Sequence, residues 1–399
     1  MFFLRLLLCQ FLGLLALHAS PPSIADFAKK AENREPLSVV FFGGSLTFGA
    51  NASDPNITSY RGLMMRWLRE KYPNTPITFH DAAIGGTGSQ LGMFRIERDV
   101  LSHQPDLVFL DFTVNDGSEE TDTESLASYE QIVRELLQAD TAVMPVLMLF
   151  KWHAEKADDS LPPRHTEHLK LASHYALPAA DVLSGIRRKV KAGVKPADLW
   201  NAGDGAHPGD EGYQLFFQTV RDSFENSITE TTRPTIPSET VFENLYPNRA
   251  RTLLTETPPA GWTREKTRRT SLWFDGLASR WMGDVATISA NSSTPILKTT
   301  FRGSMVGIFG ERDGFTPPIR VWIDGKPVLA SKNSKDPDLW KLDTSRFSPP
   351  KKGSGNLFLW HPLAKGLPEG EHTLWIEPVF DGANKDSQLR IESVCSAGR

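Results

Sequence analysis

The sequence predicts an α/β domain built on a parallel sheet, followed by an all-β sandwich. Short continuous apolar runs alternate with helix-spaced segments from about residue 37 to 228. Beyond about residue 229 the helical spacing gives way to short β-rich runs separated by Gly, Pro and Asp. A length of 399 residues also favours two domains over one.

The order of elements follows from the patterning. Residues 37–42 are apolar, β-branched and aromatic, as a buried strand requires. Residues 60–71 read as a helix, 77–80 as a strand and 91–102 as a helix with Leu91, Phe94, Val100 and Leu101 on one side. Residues 107–112 form a third apolar run, interrupted only by Asp111. A helix over 124–137, a strand over 143–150, a helix over 164–174, a strand over 177–182 and a closing helix over 210–224 complete the series. Apolar strands alternating with helices imply a parallel sheet covered on both faces, hence three α/β/α layers. In such sheets ligands bind beyond the carboxyl ends of the strands. Residues 229–239, rich in Thr, Pro and Ser, mark a linker. Residues 297–301, 305–309, 319–323, 372–377 and 388–392 then read as strands of a sandwich.

Forty per cent apolar and 23% charged residues suffice for packed cores and exclude a disordered chain, and a net charge of −4 gives no general attraction for nucleic acid or anionic lipid. The N-terminus has Arg5, an apolar run from Leu6 to Leu17, then Ala19, Ser20, Pro21 and Pro22, the layout of a cleaved secretory signal peptide. The run is shorter than the roughly 20 residues a membrane span needs. Of Cys9 and Cys395 only the second survives cleavage, so no intramolecular disulfide forms, which suits a bacterial envelope or secreted location. The expected divisions are a signal peptide over 1–19, a catalytic domain over 20–228, a linker over 229–246 and a β-sandwich over 247–399.

Four segments at strand ends carry the chemistry. Gly43-Gly44-Ser45 follows the first strand, where glycines permit a sharp bend and leave room beside the serine. A serine needs an adjacent base to act as a nucleophile. Asp204-Gly205-Ala206-His207-Pro208 offers an Asp and a His in one loop, able to orient and to accept a proton. Asp210 reads as the cap of the helix that follows. Gly85-Gly86-Thr87-Gly88 follows the second strand and Asn115 the third, each able to aim an N–H at an oxyanion, where one donor is worth roughly 3 kcal/mol.

Taken in order, these segments resemble the SGNH (GDSL-like) hydrolase family across about residues 37–228, most specifically in the stretch from Asp204 to Tyr213. The resemblance implies a flavodoxin-like sheet, with Ser45 as nucleophile, His207 as base, Asp204 as its partner, and the Ser45 N–H, Gly86 and Asn115 as the oxyanion hole. Two positions depart from the family pattern: Gly44 stands where Asp is usual before the serine, and Thr113 where Gly is usual two before the asparagine. No metal or other cofactor is expected, and His80, His103, His153, His165 and His168 lack compact ligand spacing.

Trp152, just after the fourth strand, and Trp200, near Asp204, are candidate sugar-stacking residues. The β region resembles jelly-roll-like accessory domains of some secreted carbohydrate esterases. That implies an O-acetylated polysaccharide or oligosaccharide as substrate, with neither nucleic acid nor, after cleavage, a membrane as partner. Trp273, Trp281, Trp322, Trp340, Trp360 and Trp375 are further candidates for sugar contact or core, with core expected for Trp322 and Trp375 inside strands. The competing readings are a broad short-chain esterase or lysophospholipase, and a non-catalytic carbohydrate-binding protein.

Overall fold

The computed structural model describes residues 20–117, 123–268, 282–290, 296–330, 335–342, 357–380 and 385–399. The expected leader with Cys9, together with Trp273 and Trp281, lies outside the described residues. Ile24–Glu32 form α1, a helix not expected from the sequence. Ser23 and Asp26 cap it reciprocally: the Asp26 N–H donates to the Ser23 hydroxyl and the Ser23 N–H to the Asp26 carboxylate.

The alternation then unfolds as β1 (Leu37–Gly43), α2 (Ser45–Phe48), α3 (Tyr60–Lys71), β2 (Ile77–Ala83), α4 (Ser89–Asp99), β3 (Leu107–Asp111), α5 (Thr123–Gln138), β4 (Ala142–Leu147), α6 (Lys151–Glu155), α7 (Pro163–His174), β5 (Ala180–Asp181), α8 (Val182–Lys191), α9 (Pro196–Leu199) and α10 (Asp210–Thr229). The strands form one parallel sheet in the order β2-β1-β3-β4-β5. Side chains alternate between its faces, which explains the continuous apolar runs. Val39 and Phe41 of β1 pack with α1, α3 and α10, while Val40 and Phe42 pack with α4 and α5. The fifth strand is only two residues long. The Asp181 carboxylate accepts the Ser184 N–H at 2.9 Å and starts α8, cutting short the strand expected over 177–182.

The β region contains β6 (Ala250–Leu253), β7 (Thr263–Lys266), β8 (Asp284–Ser289), β9 (Leu297–Arg302), β10 (Met305–Arg312), β11 (Ile319–Ile323), β12 (Lys326–Pro327), β13 (Leu339–Trp340), β14 (Leu357–Ala364), β15 (Glu371–Pro378) and β16 (Gln388–Ala397). One antiparallel sheet runs β14-β10-β16-β8-β7 with β6 on β16, and the other β12-β11-β15-β9 with β13 on β11. Ile308, Leu389 and Ile391 of the first meet Val321, Leu374 and Ile376 of the second in a shared core. The core placement expected for Trp322 and Trp375 is corrected here. Buried residues alternate along β15 at His372, Leu374 and Ile376, so Trp375 stands on the outer face, 37% exposed, opposite the half-buried Trp322.

The two regions pack against each other through α4 and α5. Phe94 touches Tyr246 and Trp360, with ring centroids 6.0 and 5.6 Å apart, in a core that also includes Met305, Phe309 and Cys395. The connecting chain runs along α5, where the Glu130 carboxylate accepts the N–H groups of Val241 and Phe242 at 2.7 Å each. The β region is thereby fixed beside the carboxyl ends of β2 and β3.

Candidate active site

The sheet order reverses direction between β1 and β3, which makes their carboxyl ends the place to expect a ligand. Ser45 follows β1 there and opens α2, and its side chain is half-buried. Its Oγ lies 2.8 Å from His207 Nε2, and His207 Nδ1 lies 2.9 Å from Asp204 Oδ2. The Asp204 Oδ1 accepts the N–H groups of Ala206 and His207 at 2.8 and 3.0 Å. Burial works to raise the Asp204 carboxyl. The hydrogen bonds from the His207 N–H, the His207 ring and the Ala206 N–H outweigh it and hold the group below its ordinary value. The structure therefore brings together the three residues expected from sequence, with hydroxyl, imidazole and carboxylate in one hydrogen-bonded line.

A fourth residue escaped the sequence reading. Asn51 donates its amide to Asp204 Oδ2 at 2.9 Å and to the His207 carbonyl at 3.3 Å, so it holds the carboxylate and the histidine loop together. Its φ of +69° is tolerated by Asn better than by most residues. An Asn directly after Gly49-Ala50 was the available signal. Asp210 does not cap α10; Gly209 occupies that position without a side-chain bond. The Asp210 carboxylate instead accepts the Ser53 N–H at 2.8 Å, the Ser53 hydroxyl at 2.6 Å and the Thr58 hydroxyl at 2.8 Å. Tyr213 donates its hydroxyl to the Ala50 carbonyl at 2.8 Å. The tail of the Asp204-to-Tyr213 stretch thus ties α10 to the segment that follows Ser45.

Gly86 and Asn115 share one cleft of about 360 Å³ with Gly88, Gln90, Asp116 and Trp360. Asp116 joins their two turns, since its Oδ1 accepts the Ser89 N–H at 2.7 Å. The departures from the family pattern have local explanations. A Cβ on Gly44 would stand 1.9 Å from Asn115 Oδ1, so the asparagine occupies the space a side chain there would need. Thr113 is buried with its hydroxyl 3.1 Å from His168 Nδ1, and the His168 ring stacks on Tyr129 at 3.8 Å. His165 lies 2.9 Å from Asp181 through Nε2, so these two histidines face different partners.

Of the two tryptophans proposed as sugar contacts, only Trp152 is accessible. It is 45% exposed, stacks on Phe150 at 4.1 Å, and abuts Gly205 in the Asp204–His207 loop. Trp200 is 3% exposed, packed edge-on against Phe216 and bridged to Pro208. It is a core residue that shapes the loop, and its assignment to substrate contact is corrected. Trp360, from β14, reaches the cleft from the β region; two regions more than 200 residues apart in sequence meet there.

Beneath the site lies a buried carboxyl. Burial pushes the Asp111 pKa up to about 7 from 3.8, with the charge of Asp116 adding to the rise and hydrogen bonds from Thr47 and the Thr113 N–H opposing it. Because the folded-state value is the higher one, this group's contribution to stability is complete below about pH 4 and is lost as pH rises through about 7. Asp111→Asn removes that loss. Between pH 5 and 8 the parent is expected to lose about 2–3 kcal/mol more than the variant in denaturant unfolding. Equal losses would mean that the carboxyl does not titrate in this window.

Residues 41–215 match the model of the GDSL-like Lipase/Acylhydrolase family. No curated protein matches the chain by sequence. Among solved structures, a two-domain esterase active on acetylated mannans, co-crystallized with mannopentaose, is similar at 21% identity and a TM-score of 0.73. The match covers 95% of this chain and 96% of that one. A second structure, again of a two-domain esterase active on acetylated mannans, matches at 22% identity and a TM-score of 0.72, covering 94% of each chain. The likeness extends over both regions, so the succession of an α/β sheet and antiparallel β sheets is a shared architecture. Residues 41–215 are thus similar to esterases of the GDSL-like lipase/acylhydrolase type, the resemblance that the sequence carries across about residues 37–228.

Proposed function

We propose that this chain is a secreted serine esterase that removes O-acetyl groups from polysaccharides or oligosaccharides. The observation that supports it most is the Ser45–His207–Asp204 line, with contacts of 2.8 and 2.9 Å, beside a cleft bordered by an aromatic side chain from the β region. Ser45 Oγ attacks the ester carbonyl while His207 Nε2 takes its proton, and Asp204 stabilises the imidazolium through Nδ1–H. The Ser45 N–H, Gly86 and Asn115 receive the oxyanion. The sugar hydroxyl leaves with the proton from His207. Water, deprotonated by the same nitrogen, then attacks the acyl-enzyme and releases acetate.

The polysaccharide part of the reading rests on aromatic placement and on architecture. Trp152 and Trp360 are aromatic surfaces beside the Asp204–His207 loop and the oxyanion cleft respectively, and sugar rings stack on such faces. The similar two-domain structures are of an esterase active on acetylated mannans, which supports an acetylated polymer as the class to try first. Export remains part of the proposal on the strength of the leader sequence; among the described residues no helix is long and apolar enough to cross a membrane.

The test is acetate release from a panel of acetylated mannan, xylan and oligosaccharides, run beside longer acyl esters. Preferred release from a polymer is expected, with Trp360→Ala raising KM about tenfold for the polymer and leaving a small aryl acetate unaffected, the loss of one aromatic stacking surface. Cleavage of long acyl esters without acetate release from any glycan would replace this reading with a lipid esterase. Binding of glycan with no ester cleavage at all would replace it with a carbohydrate-binding protein.

A further inference from the structure

Helix α2 is a single turn of four residues, too short to hold its own geometry. Yet it sets the direction of the Ser45 hydroxyl. Thr47, in the middle of that turn, is fully buried and faces inward. Its hydroxyl donates to Asp111 Oδ2 at 2.8 Å and lies 3.1 Å from the Tyr60 hydroxyl. Asp111 is the last residue of β3, directly opposite Gly43 in the parallel register. Its carboxyl also receives the Thr113 N–H, from the turn that presents Asn115. One buried carboxyl therefore takes a hydrogen bond from the nucleophile turn and another from the oxyanion turn. The close fit extends to Gly43, where a Cβ would meet Thr47 Oγ1 at 2.4 Å.

We propose that Asp111 is a positioning residue of the site, acting through Thr47 to hold the turn of Ser45 in register with that of Asn115. The usual family pattern places an aspartate beside the serine, and here position 44 is glycine. The bracing carboxyl comes instead from the neighbouring strand. A buried carboxyl without a cation among the residues that hydrogen-bond it is costly, and its retention at the junction of two site turns fits a demand of geometry. The raised Asp111 pKa is the signature of that cost. This assignment rests on Ser45 being the nucleophile.

The experiment uses the full chain and a small aryl acetate, with Ser45→Ala as reference. Thr47→Val keeps the shape of the side chain and removes the hydroxyl. It is expected to lower kcat about 10- to 100-fold with KM within about twofold, the size of effect a small misplacement of reacting groups produces. Thr47→Ser retains the hydrogen bond and is expected to stay within about threefold of the parent, whereas Asp111→Leu behaves as Thr47→Val. If Asp111→Leu does not fold, the Thr47→Val and Thr47→Ser pair decides. Parental kcat in Thr47→Val, with Ser45→Ala inactive, overturns the positioning role alone. So does a fall in kcat and thermal midpoint together that Thr47→Ser fails to rescue, because that pattern is general destabilisation. Ser45→Ala matching the parent overturns the functional reading beneath it.

Discussion

Ser45→Ala is expected to reduce kcat for ester cleavage by roughly 10⁴- to 10⁶-fold while leaving the fold intact. The side chain is half-buried and its one described hydrogen bond is to His207, so its removal opens no core cavity. His207→Ala is expected to cost as much, and the double variant no more than either alone, because the two residues act as a unit. Asp204→Asn follows from the same geometry. Asp204 Oδ1 accepts two backbone N–H groups and Oδ2 accepts the His207 ring and Asn51. An amide cannot accept at both ends. Its NH₂ must face either the backbone donors or His207 Nδ1, and the second arrangement reverses the imidazole tautomer. A fall of about 10⁴-fold in kcat is the scale for that fault. Steady-state kinetics on one acetyl ester, with circular dichroism to verify folding, is the measurement. A Ser45→Ala variant that keeps more than about a hundredth of the parent rate would remove Ser45 as nucleophile.

The parts of this molecule that were legible in the sequence are those written locally. β1 and β3 read as strands because both faces of a parallel sheet are covered, so nearly every position is apolar, Ser38 and Asp111 excepted. Ser45, Asp204 and His207 were legible because each sits in a short strand-end segment with distinctive neighbours, and the structure draws them to within hydrogen-bonding distance. What was missed depends on contacts made at long range. Asn51 gains its place from Asp204, 153 residues away, and Asp111 from Thr47, 64 residues away. Trp360 is one aromatic among many until packing of Phe94 and Tyr246 brings β14 to the cleft. Trp375 and Trp200 went astray in opposite directions for one reason: hydrophobicity alone does not say which face of a strand a residue occupies, or whether a loop lies over a core. α1 was missed although Ser23-x-x-Asp26 is a cap signature, because no flanking strand drew attention to it.

Gly44→Ala is expected to reduce kcat about 100- to 1000-fold with little change in stability, the scale of losing one oxyanion donor. The backbone at Gly44 has φ −102° and ψ −152°, an extended conformation open to alanine, so the obstacle is steric. The new Cβ would stand 1.9 Å from Asn115 Oδ1 and 2.8 Å from Asn115 Cγ. Gly44 is buried, but Asn115 is half-buried at the edge of the cleft and has room to swing toward it. Rotation of that side chain relieves the overlap cheaply in folding terms. The same rotation takes the amide away from the place proposed for the oxyanion. Asn115→Ala alone should therefore cost as much as Gly44→Ala, and the double variant should equal either single one rather than their product. Aspartate at position 44, the usual residue in the family that the sequence resembles, should be at least as harmful here, since the space it would need is already filled by Asn115. A double-mutant cycle on kcat, with thermal midpoints recorded for all variants, separates the possibilities. Additive losses would mean that Gly44 and Asn115 act independently. Parental activity in Gly44→Ala would mean that Asn115 rotates without consequence and does not serve the oxyanion.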